Sequence, residues 1–199
     1  MSTFLLYIQR NYAAELSTGQ VKFGTQSLLT TSGNIQSAHP LTFGGDPFTV
    51  SCWAQYSKAG FLFRALGTTK SFGFKLNDLT NKDIEFYTGT TAANTAQTAT
   101  GGRTSTGVRL DTNTWCHFEV AYNGAGNLKA FMNGHAYWNL SQTVAREPRR
   151  IILGELGGYI DEFRILDGVC EHTAAFTRPS DKYSFDDYPD NTLVLLHFE

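Results

Sequence analysis

The chain has 199 residues, of which 41% are hydrophobic, 14% aromatic and 17% charged, and its formal net charge is −2 at pH 7. This size and apolar content suffice for a buried core, so we expect one globular domain over residues 1–199, with a C-terminal arm and strand at about residues 179–199. The nearly balanced charge provides no basic stripe to neutralise phosphates, which excludes nucleic acid from the expected partners.

Apolar runs as long as a membrane-spanning helix are missing from the sequence. Residues 1–15 contain neither the basic segment, the long apolar segment nor the small-residue cleavage site of a secretion signal. We therefore expect no membrane contact and no signal peptide.

Short runs of alternating apolar residues, separated by glycine, asparagine and threonine, recur along the chain and are typical of β-strands. Their spacing predicts an all-β fold, a two-sheet antiparallel β-sandwich. The predicted strands are residues 4–8, 48–56, 61–66, 72–76, 84–87, 115–122, 128–132, 135–138, 151–153, 159–166 and 193–198.

The runs 48–56 and 115–122 each place apolar residues at every second position, so we expect each strand to bury one face. They contain Cys52 and Cys116, and a third cysteine, Cys170, lies far from both. An odd, widely spaced set is typical neither of a disulfide framework nor of a metal-binding pair. We expect Cys52 and Cys116 to be small buried hydrophobes in a protein that folds under reducing conditions.

The stretch 88–107 has no large apolar residue and consists mainly of threonine, alanine and glycine. It is either an exposed hairpin or surface loop, or a loop that orders against a partner. Candidate partner contacts in this stretch are Thr88, Thr91, Asn94, Thr98 and Arg103.

Two tight connections follow, residues 123–127 and the pair Asn133-Gly134, which predict a three-stranded meander. Directly after the second turn lie Tyr137, Trp138 and Asn139. Adjacent aromatic residues on a strand point to opposite faces, so one ring faces outwards and could stack on a sugar beside the amide. The alternative is that one ring fills the core and the other is a partly covered surface residue.

The runs 4–8 and 193–198 are the most continuously hydrophobic segments of the sequence. This suits central strands covered on both faces and pinned into the sheets. The alternative is that one of them is donated to a neighbouring subunit, because an exposed apolar edge strand promotes association.

Residues 158–179, GYIDEFRILDGVCEHTAAFTRP, resemble the closing signature of concanavalin A-like jelly-roll domains of the laminin G-like superfamily, and the likeness is strongest to the bacterial and tailed-bacteriophage branch. Further matches, in family order, are residues 22–28, 48–53, 113–115 with His117, 133–134 and 152–154. The resemblance covers nearly the whole chain and implies a concanavalin A-like jelly roll. The leucine-rich run at the C-terminus departs from the family pattern.

Members resembling laminarinases cleave sugars with closely spaced carboxylates on one strand. The carboxylate pairs Asp83 with Glu85 and Asp161 with Glu162 lack a third member, and the second pair should point to opposite faces of its strand. His117 fits a structural, hydrogen-bonded histidine better than a metal ligand. We therefore expect no enzymatic activity.

Many laminin G-like domains bind calcium, but the aspartate-rich stretch that the resemblance requires is missing from residues 11–20. Asp161 is the one candidate metal ligand, and its alternative role is to anchor a loop through backbone hydrogen bonds. We expect no cofactor, with calcium as the alternative.

The resemblance implies a non-enzymatic virion structural protein of a tailed bacteriophage, a head-decoration or tail-associated module that contacts other capsid or tail proteins. Such a protein is made in the host cytoplasm and forms a homo-oligomer, for which a trimer is the first hypothesis. The alternative function is a carbohydrate-binding module or lectin-like adhesin that recognises a host surface polysaccharide.

Overall fold

A computed structural model describes residues 8–11, 14–30, 33–76, 84–89, 113–155 and 157–198. These residues form two antiparallel sheets that pack face to face around an apolar core. The predicted two-sheet antiparallel sandwich is therefore confirmed. None of the helical turns in these ranges is long and apolar enough to cross a membrane.

The first sheet has seven strands in the order β1-β4-β13-β7-β8-β9, with β5 beside β13. Neighbours in the sheet are often distant in sequence, so long connections cross between the sheets. The strands are β1 (Ile8–Asn11), β4 (Asn34–Ser37), β5 (Leu41–Phe43), β7 (Gly60–Leu66), β8 (Ser71–Leu76), β9 (Ile84–Gly89) and β13 (Glu147–Gly154).

The second sheet has eight strands in the order β12-β11-β10-β6-β14-β3-β2, with β15 beside β14. The meander predicted from the two turns is the edge β10-β11-β12 of this sheet. The strands are β2 (Ala14–Ser17), β3 (Ser27–Thr30), β6 (Phe48–Tyr56), β10 (Cys116–Tyr122), β11 (Asn127–Met132), β12 (His135–Ser141), β14 (Gly158–Asp167) and β15 (Thr192–Leu196).

Strands β6 and β10 are buried on both faces, so the expectation of one buried face is wrong for them. Their inner faces contribute to the core, where Cys52 and Cys116 are buried as predicted. Their outer faces, which include Trp53 and His117, are covered by residues 168–191, which we call the covering segment. The covering segment is therefore part of the folded domain and supplies a second layer outside the eight-stranded sheet.

The turn Asn133-Gly134 holds the covering segment as well as the hairpin. The amide of Phe176 donates a hydrogen bond to the carbonyl oxygen of Gly134 at 2.9 Å. Gly134 has φ +81°, and a Cβ atom at this position would lie 1.9 Å from the carbonyl oxygen of Phe176. Only glycine meets both demands, the left-handed backbone and the close approach of another chain segment.

Strand β15 pairs with β14 of its own chain, and Phe163 lies opposite Leu196. Within the described ranges it pairs with no other strand, and Val194 is its buried residue. The expected pinning of residues 193–198 into a sheet is confirmed, but within the described residues β15 has one neighbouring strand and one buried residue, which differs from the expected strand covered on both faces. Because β15 pairs with β14 of its own chain, its placement does not require donation to a neighbouring subunit. The run 4–8 lies outside the described residues except for Ile8.

Candidate functional site

The interior of the sandwich offers no room for a ligand at its two described cavities. One lies beside Ile35 and Val194, the other beside Tyr56 and Phe74, and each holds about 10 Å³. Such a space admits about one water molecule. The outer face of the seven-stranded sheet, by contrast, brings polar and aromatic side chains together.

The outer face of the seven-stranded sheet carries a row of residues that strand pairing places side by side. Ile152 of β13 pairs with Arg64 of β7, Arg64 with Gly73 of β8, and Gly73 with Tyr87 of β9. On the other side, Ile152 pairs with Gln36 of β4. Neighbouring strands lie about 4.8 Å apart, so the row spans roughly 19 Å. We call this surface the Arg64–Tyr87 face.

One end of the Arg64–Tyr87 face is a hydrogen-bonded set of polar side chains. Arg64 Nη2 lies 2.5 Å from Glu155 Oε1, which also accepts a hydrogen bond from Asn34 Nδ2 at 3.3 Å. Gln36 Nε2 in turn donates to Asn34 Oδ1 at 3.1 Å. Glu155 adopts φ +89°, a left-handed conformation that a glutamate rarely takes. The chain therefore tolerates local backbone strain where it orients this carboxylate.

The other end of the same face is aromatic. The rings of Phe61 and Tyr87 meet edge to face, with centroids 5.3 Å apart. The guanidinium of Arg64 lies 4.5 Å from the Phe61 ring centroid, and the ammonium of Lys75 lies 5.6 Å from it. Burial raises the pKa of Tyr87 above its ordinary value, and the charge of Arg64 opposes this shift. The phenol is therefore neutral at physiological pH and can donate a hydrogen bond.

Gly73 lies between Arg64 and Tyr87 in the row, so this position carries no side chain. A Cβ atom there would lie 2.1 Å from the carbonyl oxygen of Phe63, so the close approach of β7 requires glycine. An aromatic ring, a guanidinium and a carboxylate on one face can contact the apolar face of a sugar and its hydroxyl groups together.

Sequence reasoning identified the strands of this face but not the site. The available signal was the outward position of Tyr87 beside the buried Phe86 in the alternation of β9. Regular alternation would place Phe61 on the same face as the core residue Phe63, and only the β-bulge between them brings Phe61 beside Tyr87. Only the pairing of β7, β8 and β9 brings the residues of the row together.

The structure divides the predicted glycan cluster between inside and outside. Trp138 is buried in the core, with its ring centroid 5.7 Å from that of Phe74, so it cannot stack on a sugar. Tyr137 packs half-buried against the core, and Asn139 is exposed. This arrangement matches the alternative in which one ring fills the core and the other is partly covered. A sugar contact by Tyr137 and Asn139 stays a prediction.

Asp161 is buried and anchors a loop, as the alternative role for this residue predicted. Its Oδ2 accepts hydrogen bonds from the amides of Lys22 and Phe23 at 3.2 and 3.1 Å. Burial raises the pKa of Asp161 to about 6, although these bonds oppose the shift. A β-bulge interrupts the regular alternation of β14 here, and the neighbouring carboxylate of Glu162 accepts a hydrogen bond from the amide of Tyr183. Both carboxylates thus fix segments that pack against the sheet.

His117 is a structural histidine, as expected. Its Nε2 lies 2.5 Å from the Tyr183 hydroxyl, and its amide donates to Asn133 Oδ1 at 2.9 Å. Burial lowers the pKa of His117 to about 3, so the imidazole is neutral. Burial raises the pKa of Tyr183. The pair joins β10 to the covering segment through a hydrogen bond between two neutral groups.

Sequence reasoning missed a second polar cluster beneath the covering segment. Glu119, Glu171 and His172 place one ligand atom each within 4.8 Å of one another. His172 Nδ1 lies 2.9 Å from Glu119 Oε1, and the ring stacks on Phe176 with centroids 3.5 Å apart. Burial raises the pKa of Glu119, and His172 opposes this shift.

Calcium takes about six to eight oxygen ligands, which this set of one imidazole and two carboxylates does not match. The guanidinium of Arg164 also pairs with Glu171, placing a positive charge where a cation would bind. The cluster is therefore suited to holding the covering segment. Calcium binding elsewhere on the chain stays a prediction.

Most of the predicted partner-contact loop lies outside the described residues. Of its candidates, Thr88 is half-buried in β9. The remaining candidates Thr91, Asn94, Thr98 and Arg103 are not described, nor is Asp83 of the first carboxylate pair. Their proposed contacts stay predictions.

The comparisons with known proteins agree with this architecture. A family model described as the concanavalin A-like lectin/glucanases superfamily matches residues 29–174. A search of the curated proteins found no match.

Among solved structures, domain 4 of AbnA, an extracellular GH43 arabinanase from Geobacillus stearothermophilus in complex with arabinotriose, is similar with a TM-score of 0.59 and 16% identity. The alignment covers 81% of this chain and 81% of that chain.

Two toxin binding domains are also similar. The binding domain of Paraclostridial Mosquitocidal Protein 1 has a TM-score of 0.52 and 12% identity, covering 86% of this chain and 45% of that chain. The botulinum neurotoxin serotype D binding domain has a TM-score of 0.50 and 15% identity, covering 90% of this chain and 44% of that chain. This chain therefore spans less than half of either toxin domain, and at these identities the likeness shows the fold alone.

Proposed function

Because the chain belongs to the concanavalin A-like lectin/glucanases superfamily, we propose that it is a non-enzymatic carbohydrate-binding module that holds an oligosaccharide on the Arg64–Tyr87 face. The observation that carries this proposal is the row of a guanidinium, a glycine and a phenol across three paired strands. The whole row, from Gln36 of β4 to Tyr87 of β9, crosses five strands and spans roughly 19 Å, which is long enough for an extended saccharide.

The chemistry of the face favours a neutral saccharide. Arg64 is paired with Glu155, so its charge is already balanced, while its remaining N–H groups can donate to hydroxyl groups. Tyr87 provides the ring for the apolar face of the sugar. The solved neighbours support binding rather than catalysis, since one is a domain in complex with arabinotriose and two are binding domains.

A glycan array followed by titration calorimetry tests the proposal. We expect Tyr87→Ala and Arg64→Gln each to weaken binding of the best saccharide by about tenfold, because each removes one of the two groups that flank Gly73. Tyr159→Ala is the matched control, a half-buried tyrosine on the other sheet, and Tyr137→Ala tests the separate prediction that Tyr137 contacts a sugar. The proposal fails if the wild-type protein binds no saccharide, or if Tyr159→Ala weakens binding and Tyr87→Ala does not.

The virion role stays a prediction from the resemblance, with capsid or tail proteins as partners, a cytoplasmic origin in the host and a homo-oligomer, first a trimer. It is compatible with saccharide binding, because a particle protein can also contact a host polysaccharide. Mass spectrometry of purified particles and sedimentation of the pure protein test these two points. A protein missing from the particles rejects the virion role, and a monomer rejects the oligomer.

A further inference from the structure

A second surface, separate from the Arg64–Tyr87 face, lies where two chain segments meet over Trp53 of β6. Lys22, from the loop between β2 and β3, has its ammonium nitrogen 4.1 Å from the Trp53 ring centroid. Arg178, from the covering segment, has its guanidinium carbon 5.6 Å from the same centroid. We call this place the Lys22–Arg178 seam.

Hydrogen bonds hold the two backbone segments that carry Lys22 and Arg178. The amides of Lys22 and Phe23 donate to the buried carboxylate of Asp161. Arg178 lies two residues after Phe176, whose amide bonds to Gly134, and Arg178 Nη1 donates to Asn133 Oδ1 at 3.4 Å. The fold therefore fixes the backbone positions from which both side chains reach Trp53.

Neither cation has an acidic partner at ion-pair distance within the part of the chain that the structure describes. Burial lowers the pKa of Lys22, the charge of Arg178 lowers it further, and Asp161 opposes both effects. The seam thus brings like charges together, which costs free energy unless a negative charge lies between them.

Trp53, whose ring both cations cover, also carries a hydrogen-bond donor. Trp53 is 1% exposed, and its indole Nε1–H faces no acceptor in the described ranges. Buried donors are nearly always satisfied in folded proteins, so this unpartnered N–H, at the edge of the ring that both cations cover, supports an acceptor that binds beside Trp53.

We propose that the Lys22–Arg178 seam binds an oxyanion, a carboxylate, sulfate or phosphate group carried by an acidic saccharide or free in solution. Two cations and an N–H donor are the groups that recognise such an anion. The proposal does not depend on saccharide binding at the Arg64–Tyr87 face, because the two surfaces lie on different sheets.

Titration calorimetry at low ionic strength tests it, with sodium sulfate, sodium phosphate, galacturonate and neutral galactose as separate probes. We expect the wild-type protein to bind at least one of the three anions and not galactose at this seam. Lys22→Gln and Arg178→Gln should each weaken anion binding by about tenfold or more, since a hydrogen bond to a charged group contributes about 1.5–3 kcal/mol. Galacturonate binding tighter than sulfate binding identifies an acidic saccharide as the source, and the reverse identifies a free inorganic anion.

Lys58→Gln is the matched control, because it removes an exposed positive charge from the turn after β6. Arg178→Lys keeps the charge and should retain most of the binding, which guards against a variant that loses binding through misfolding. Equal binding by wild type, Lys22→Gln, Arg178→Gln and Lys58→Gln would show an adventitious ion only and overturn the proposal. So would a wild-type protein that binds none of the three anions.

Discussion

His117 Nε2 and the hydroxyl oxygen of Tyr183 lie 2.5 Å apart, joining a central strand of the eight-stranded sheet to the covering segment. Both side chains are buried, so neither can exchange this hydrogen bond for one to water. The bond shows how the C-terminal part of the chain becomes a structural layer: it contributes a polar partner as well as apolar contacts to the outer face of β10.

Replacing Tyr183 by phenylalanine should reduce the free energy of unfolding by about 1–3 kcal/mol, because His117 Nε2 is left buried without a partner. Urea unfolding followed by circular dichroism measures the change. Tyr137→Phe is the control, since Tyr137 is half-buried and its loss of a hydroxyl should change the stability little. Equal stabilities of Tyr183→Phe and wild type would show that the hydrogen bond has no net effect.

Gly134→Ala should loosen the covering segment. The new Cβ atom would lie 1.9 Å from the carbonyl oxygen of Phe176, and the residue has φ +81°. We expect a loss of about 1–3 kcal/mol from the backbone conformation alone. Limited proteolysis should cut within residues 168–191 faster than in the wild-type protein. Gly126→Ala separates the two causes, because Gly126 has φ +84° but its added Cβ atom would meet no other atom within 4 Å.

Acid should destabilise the protein through His117. The folded state keeps this imidazole neutral down to about pH 3, whereas the unfolded chain takes up the proton at the ordinary pKa of 6.5. The unfolded state therefore binds more protons between these values, and the free energy of unfolding falls as the pH falls through this window. Above pH 6.5 the contribution of His117 is fully present.

Asp161 acts in the opposite direction, because its pKa in the folded state is raised from 3.8 to about 6 and the folded state binds the proton first. We expect urea unfolding between pH 6.5 and pH 3 to show that the stability of Asp161→Asn falls more steeply with decreasing pH than the stability of the wild type. The stability of His117→Gln should fall less steeply than that of the wild type. Three identical pH profiles would contradict both assignments.

The loop after β7 should also be sensitive to acid. Burial alone would raise the pKa of Glu147, but hydrogen bonds from Thr68, Thr69 and Lys70 lower it to about 2. Glu147 therefore stabilises the fold above its ordinary pKa of 4.5, and this contribution is lost as the pH falls from 4.5 to about 2. Glu147→Gln should unfold with a smaller pH dependence in this window. A matching slope in Glu147→Gln and wild type would reject the role of its charge.

Deleting residues 192–199 should destabilise the protein and promote its association. The deletion exposes the edge of β14 from Phe163 to Leu166 and removes Val194 and Phe198 from the core. Each buried apolar side chain contributes about 1.5–3 kcal/mol. Thermal unfolding and light scattering after size-exclusion chromatography measure both effects. A shortened protein that stays monomeric with an unchanged Tm would show that β15 is dispensable.

The sequence by itself determined the local features of this protein. Alternation in residues 48–56 and 115–122 identified strands β6 and β10, because side chains on a strand alternate between its faces. The pair Asn133-Gly134 identified a turn, because both residues tolerate positive φ. Asp161 as a loop anchor and His117 as a structural histidine also followed from residue type and position.

Only the tertiary structure decided which faces are covered and which residues meet. The outward residues of β6 and β10 became buried because a segment much further along the chain packs on them. Arg64, Gly73 and Tyr87 form one row because β7, β8 and β9 pair in a particular register, and Trp138 lies inside because of the irregular pairing of β11 with β12. Register and coverage depend on contacts between distant segments, which the periodicity of one segment does not encode.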